Sequence, residues 1–173
     1  TFLCPFPAGG GTDILTRLLA HELQDKLKRT FIVDNRPGAG TIVAAQAAAR
    51  ATPDGHTIFI APVTTLAIGP SVYKSLPYDT VKDFVPVVSI GNQYVVLVVN
   101  PVLPVKTAAE FIALAKSKPG QLNYASSGNG TVIHIGGELF QHATGTKLAH
   151  IPYKGSAPAI ADLLSGQDIT VSF

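Results

Sequence analysis

The sequence predicts an α/β fold in which parallel sheets are covered by helices on both faces. Two observations lead there. Short β-type runs alternate with helix-period segments almost from end to end. Two strand-to-helix turns, "PAGGGTD" and "SSGNGT", carry the clustered glycines that let a chain pass tightly from one element into the next. At 173 residues, 46% of them hydrophobic, the chain is long enough for one domain or for two small ones.

The first strand is "TFLCPF". After its glycine turn Leu15, Leu18, Leu19, Leu23 and Leu27 recur at helical spacing as far as "KLKR", whose basic residues suit the negative end of a helix dipole. "FIVDN" is the second strand, and "RPGAGT" leads into the alanine-rich helix "IVAAQAAAR". "DGHTIFIAP" gives a third strand, "VTTLAIGPSVY" a helix and "LPYDTVKDFVP" a proline-rich link. Two more strands are expected at "VVSIG" and "YVVLVVN".

The proline-bounded stretch from Asn100 to Pro104 is the expected boundary between two lobes, residues 1–100 and 101–173. Beyond it Thr107 and Glu110 have the spacing of a capping box, opening a helix that ends near Pro119 and Gly120. Then come the strand "LNYAS", the second glycine turn, the helix "TVIHIGGELFQHA", the strand "LAHIPY", the helix "APAIADLLSG" and a last strand, "DITVSF".

Composition removes several classes of function. Charged residues make up 14%, and the formal charge of +2 comes from scattered Lys and Arg. Neither a nucleic-acid groove nor a membrane-surface helix is marked out. The longest apolar run, "YVVLVV", has the length of a strand and falls far short of a membrane span. Cys4 is the single cysteine, so no disulfide can form within the chain. The chain begins inside a strand, without an initiating Met or a signal peptide, as a processed or trimmed polypeptide would.

The glycine turns fail the phosphate fingerprints. Ile14, Val43 and Ile133 stand where a dinucleotide loop needs its third glycine, and no Gly-Lys-Ser/Thr follows. "HELQD" has Asp25 where a zinc-protease helix needs its second His. Ala125 stands where a hydrolase elbow ahead of Ser126 and Ser127 needs glycine. A serine hydrolase or transferase using Ser127 with His134 is the alternative reading. The favoured one is simpler: a helix N-terminus offers unpaired N–H groups and partial positive charge, and glycines open the backbone to a carboxylate.

In the second of these helices Val132, Ile135, Leu139, Phe140 and Ala143 share one side. His134 falls opposite them, so it is expected to face solvent or a cleft and to stay neutral until an anion arrives. Asp13, beside an anion site, is expected to cap its helix or to accept a hydrogen bond from a ligand or a bridging water.

Taken together, "PFPAGGGTD", "DNRPGAG", "SLPYD…KDFVPV", "NYASSGNGT" and "HIPYKG…PAIADLLSGQ" resemble, in order and over the whole chain, the Bug family. These are periplasmic substrate-binding receptors of tripartite tricarboxylate transporters. The resemblance implies a two-lobed Venus-flytrap fold of the periplasmic binding protein type, with no enzymatic activity, cofactor or metal. Its expected partners are a small organic acid (a dicarboxylate, tricarboxylate, acidic amino acid or aromatic acid) and the membrane permease subunits.

The resemblance also implies where the acid binds. One loop is matched by Pro7, Gly9, Gly10, Gly11, Thr12 and Asp13, and a second by Ser126, Ser127, Gly128, Asn129 and Thr131. A segment from Val63 to Leu66 borders them and brings Thr64 and Thr65. Ala8 stands where the family usually has a second proline. Family members continue well beyond the strand matched by "DITVSF". A fragment is therefore expected, truncated at its C-terminus, with an unpaired last strand, weak binding and a tendency to self-associate.

Overall fold

The structure, a computed structural model, describes residues 1–166 and 169–173. Gln167 and Asp168, the second of which opens the expected last strand, lie outside the described residues. The chain forms two compact units, Thr1–Ile90 and Gly91–Phe173.

In the first unit β1 (Phe2–Cys4), α1 (Gly11–Leu27), β2 (Val33–Asn35), α2 (Ile42–Ala49) and β3 (Ile58–Phe59) form a three-stranded parallel sheet, in the order β2-β1-β3, with its crossover helices. Every residue of β1 is buried, as a central parallel strand must be when both its faces are covered. Phe2, Ala20 and Ile60 make the core, joined by Leu19, Leu23, Phe31, Val33 and Ile58, and the Phe2 and Phe31 rings stack at 5.5 Å.

The helix packs on a different face from the one its leucines suggest. Leu15, Leu18 and Leu27 are exposed, whereas Asp13, Thr16 and Ala20 are buried. The small side chains at 16 and 20 let the helix come close to the sheet, and only Leu19 and Leu23 of the five leucines flank that contact.

Between Thr64 and Ile68 the expected helix is a wide π-helical turn, followed by the short α3 (Gly69–Val72). Of the two strands expected next, only β4 (Val98–Val99) forms. Val85, Val87 and Tyr94 are at least 80% exposed, and among the described residues no strand lies beside them. An apolar run becomes a strand only where a neighbouring backbone completes its ladder.

In the second unit α4 (Ala108–Ser117), β5 (Asn123–Ser126), α5 (Val132–Thr144), β6 (Ala149–Pro152), α6 (Ser156–Ser165) and β7 (Val171–Ser172) follow β4. The sheet order is β4-β7-β5-β6. The last three strands are parallel, and β4 runs antiparallel to β7. The final strand is therefore an interior strand, covered on one side by β4, rather than the bare edge expected.

Asn100 is anchored in this same unit. Its Nδ2 donates to the Leu163 carbonyl at 2.5 Å, its Oδ1 accepts from the Val102 N–H at 2.8 Å, and its own N–H reaches the Thr170 carbonyl at 2.9 Å. The two units thus divide ahead of the Asn100–Pro104 stretch, and β4 belongs with the second. Alternate residues of β5 serve two cores. Tyr124 packs with Phe111, Ala115, Leu122, Leu148 and Val171, and Ala125 with Ala159, Leu163 and Ile169 on the opposite face.

Candidate functional site

The turn after β1 is held by a buried carboxylate. Asp13 Oδ2 accepts from the Gly9 N–H at 2.9 Å and from Arg17 Nε at 3.0 Å, and Oδ1 accepts from Asn35 Nδ2 at 2.8 Å. Asn35 Nδ2 also donates to the Phe6 carbonyl at 2.9 Å, and Arg17 Nη2 donates to Asn35 Oδ1 at 3.0 Å. Burial alone would raise the Asp13 pKa. The Arg17, Gly9 and Asn35 donors outweigh it and hold the carboxyl below the usual carboxylate range.

Asp13 therefore latches the loop across to β2 from inside. It is not the helix cap, which is Gly10, a residue with no side chain to cap with. Gly9 adopts φ +86°, which suits glycine and turns the chain from Ala8 into the helix. At Gly10 the backbone is ordinary, φ −79°, and a Cβ there would meet only the Pro7 carbonyl oxygen at 3.7 Å. Gly9 and Gly11 are exposed, and Pro7, Gly10 and Thr12 half-buried, so this turn presents backbone to its surroundings.

Thr64 and Thr65 are both buried. The Thr65 hydroxyl lies 2.6 Å from that of Thr41, and its carbonyl accepts from Tyr78 Oη at 3.3 Å. Thr41 ends a run of four residues with positive φ, Gly38 to Thr41, and itself holds +84°, a strained value for a β-branched residue. This third glycine turn follows β2, as the first follows β1 and the threonine segment follows β3. All three leave the carboxyl ends of one parallel sheet, where α/β folds bind ligands. A shallow hollow of about 440 Å³ lined by Pro70, Leu76, Tyr78, Asp79 and Thr80 contains none of these loop residues.

The second glycine turn is knit together by its own hydroxyls. Ser126 Oγ accepts from the Gly128 N–H at 3.1 Å and lies 2.7 Å from His150 Nε2. Thr131 Oγ1 donates to the Gly128 carbonyl at 2.7 Å and caps α5 by accepting from the His134 N–H at 3.4 Å. Gly128 and Gly130 hold φ of +128° and +73°. Ser126, Ser127, Gly128, Gly130 and Thr131 are buried, and Asn129 is exposed.

His134 points toward the sheet. Its ring stacks on that of His150 at 4.3 Å, and His150 stacks in turn on Tyr124 at 4.7 Å. The sheet-facing side of α5 runs through His134, Gly137, Glu138 and Gln141. A Cβ on Gly137 would lie 2.4 Å from the Tyr124 ring. Of the expected apolar side, Phe140 packs against Phe111 and Phe173 while Leu139 is exposed; the part of the helix that meets the strand rings carries a glycine and a histidine in place of leucines.

The serine that meets a histidine is Ser126 with His150, not Ser127 with His134, and Ser126 is wholly buried. This serine braces the loop through its bonds to the Gly128 N–H and the His150 ring. The sequence reading missed His150, Arg17, Asn35 and Thr41. Strand register could have found the first, since Tyr124 and His150 are paired residues on neighbouring strands. Among the described residues no three His, Cys, Asp or Glu side chains gather where they could hold a metal ion.

Two α/β units, each with a glycine turn ahead of a helix at the carboxyl end of a parallel strand, define a solute-binding receptor fold, and solved neighbours include periplasmic transport and binding proteins. Residues 15–172 match the tripartite tricarboxylate transporter family receptor (TctC), and the chain belongs to that family. It is 42% identical over 165 residues to protein BugT of Bordetella pertussis, an alignment covering 95% of this chain and 51% of BugT. A solved R. palustris protein with adipate matches with a TM-score of 0.95 and 36% identity over 99% of this chain and 57% of that one. MatC of Rhodopseudomonas palustris with bound malate matches with a TM-score of 0.91 and 30% identity over 99% of this chain and 58% of that one. The chain thus spans about half the length of the curated relatives it matches.

Proposed function

We propose that this chain carries the carboxylate-gripping loops of a periplasmic receptor that captures a small organic acid and delivers it to the permease subunits of a tripartite tricarboxylate-type transporter. The observation that carries the reading is the close match to two solved relatives whose bound molecules, adipate and malate, are both dicarboxylates. In the first unit the gripping residues are Pro7, Gly9, Gly10, Gly11, Thr12 and Asp13. Gly10 to Thr12 supply N–H groups, Asp13 holds the loop, and Thr64 and Thr65 border it. In the second, Ser126, Ser127, Gly128, Asn129 and Thr131 form the loop and His134 supports it.

Each helix end contributes about 0.3–2 kcal/mol to holding an anion. Micromolar affinity needs about 8 kcal/mol, so direct hydrogen bonds and desolvation supply most of the binding. Binding without turnover is expected, since capture of the acid needs no bond to break.

Gly10 gives the cleanest test, because its backbone accepts any residue and a Cβ meets nothing closer than 3.7 Å. Gly10→Val should keep the helical circular dichroism of the wild type and lose binding of adipate and malate in titration calorimetry. Unchanged affinity would reduce the loop to a turn. Gly128 is a poorer probe than the sequence suggests, because its φ of +128° makes any side chain there strain the loop.

A further inference from the structure

The second unit places a column of rings beneath its glycine loop, and two of those rings hold the loop directly. Tyr124 of β5 and His150 of β6 are paired in register and lie on the same face of the sheet. His134 of α5 closes the column, its ring 4.3 Å from that of His150 and 22° from parallel. His150 Nε2 lies 2.7 Å from Ser126 Oγ at the start of the loop, and the Gly130 N–H near its end donates to His134 Nδ1 at 3.1 Å.

That last bond fixes a protonation state. An N–H can be accepted only by a ring nitrogen that carries no proton, so Nδ1 is bare and the proton of the neutral ring sits on Nε2. An imidazolium has two N–H groups and no acceptor. A charged His134 and this loop geometry exclude one another.

We propose that His134 is a positioning residue that orders the second glycine loop only as a neutral acceptor, with His150 and Ser126 bracing the other end, and that the loop loses this shape when His134 takes up a proton. The consequence for ligand rests on the carboxylate reading above; the loop order itself does not.

The titratable groups facing the pair are Tyr124 and Glu138. Tyr124 Oη donates to Glu138 Oε1 at 2.6 Å, and Gln141 Nε2 donates to the same oxygen at 3.1 Å. Burial first, and then the Glu138 carboxylate, push the Tyr124 phenol far up, so it remains a donor. Burial, and next the His134 ring, hold His150 below the usual histidine range against a smaller opposing pull from Glu138. His150 is therefore held toward its neutral form.

The test is nitrogen-15 NMR on the protein over a pH series, with ring tautomer and protonation state read from long-range couplings and the protection factor of the Gly130 amide measured at a higher pH, where that readout shows His134 neutral, and at a lower pH, where it shows His134 protonated. At the higher pH, His134 should be the Nε2–H tautomer and Gly130 protected. At the lower pH, protection should drop about tenfold, the scale of one lost hydrogen bond. His134→Asn, whose Oδ1 stands near the place of Nδ1, should keep protection at both pH values, and His134→Leu should lack it at both.

An Nδ1–H tautomer at the higher pH, equal protection of wild-type Gly130 at both, or an Asn variant no better than Leu would each overturn the proposal. The tautomer needs no variant, so a misfolded Leu protein leaves the test intact. Adipate affinity, titrated in parallel, should fall on acidification, and less steeply in the Asn variant. Should the amide respond as described while adipate binds at neither pH, the positioning role stands and the carboxylate reading falls.

Discussion

Gly137 has no space for a methyl group, since a Cβ there would stand 2.4, 2.8 and 3.0 Å from three atoms of the buried Tyr124 ring. Gly137→Ala should cost about 1–3 kcal/mol, the range for overpacking a tight core, read as a lower urea midpoint with the slope unchanged. Asp13 gives the first unit an acid limit. Its folded carboxyl is the stronger acid, so the unfolded chain binds more protons as pH falls. The stabilisation is complete above the ordinary Asp pKa of about 4 and fades as pH drops through that value and below it. Urea titrations at a series of pH values should show this loss in the wild type and not in Asp13→Asn. Asp13→Ala, which leaves the Gly9 and Asn35 donors without their acceptor, should cost about 1–3 kcal/mol at neutral pH. At this scale the sequence revealed residue types better than directions. His134 and Asp13 stood out by chemistry, but their orientation depends on Tyr124, His150 and Asn35, which are brought beside them by strand register.

The helix α4 begins as its sequence foretold. Thr107 Oγ1 accepts from the Glu110 N–H at 3.2 Å, while Glu110 Oε2 accepts from the Lys106 N–H at 2.6 Å, one residue ahead of the usual partner. Thr107→Ala should therefore cost about 1 kcal/mol in thermal unfolding and leave adipate binding unchanged. The parallel strands and their crossover helices were legible throughout, because apolar runs bounded by glycine and proline report burial on both faces. The stretch from Val87 to Leu97 was not, because its apolar pattern fits a strand and only a neighbouring strand can make it one. The leucines of α1 misled for a related reason. Periodicity tells which residues share a face, but the face that meets the sheet is chosen by how closely the backbones approach, and there Thr16 and Ala20 win.

The whole chain exposes Val81, Val85, Val87, Val88, Tyr94 and Val96 along one stretch. Apolar surface of that extent favours association. Light scattering on the 173-residue chain should show dimers or larger species, and paired Val87→Lys and Val96→Lys substitutions should shift it toward monomer. The association is expected to run through this stretch rather than through the last strand, which β4 and β5 enclose. Cys4 has a use of another kind. It is the chain's single cysteine, sits fully buried in the central strand of the first unit, and burial pushes its thiol up, out of the reactive range. A thiol reagent can reach it only when the packing over that strand, Thr16 and Asp13 of α1 included, opens. The rate of labelling under native conditions is then a clock for the opening of the first unit alone, and no engineered probe is needed to read it.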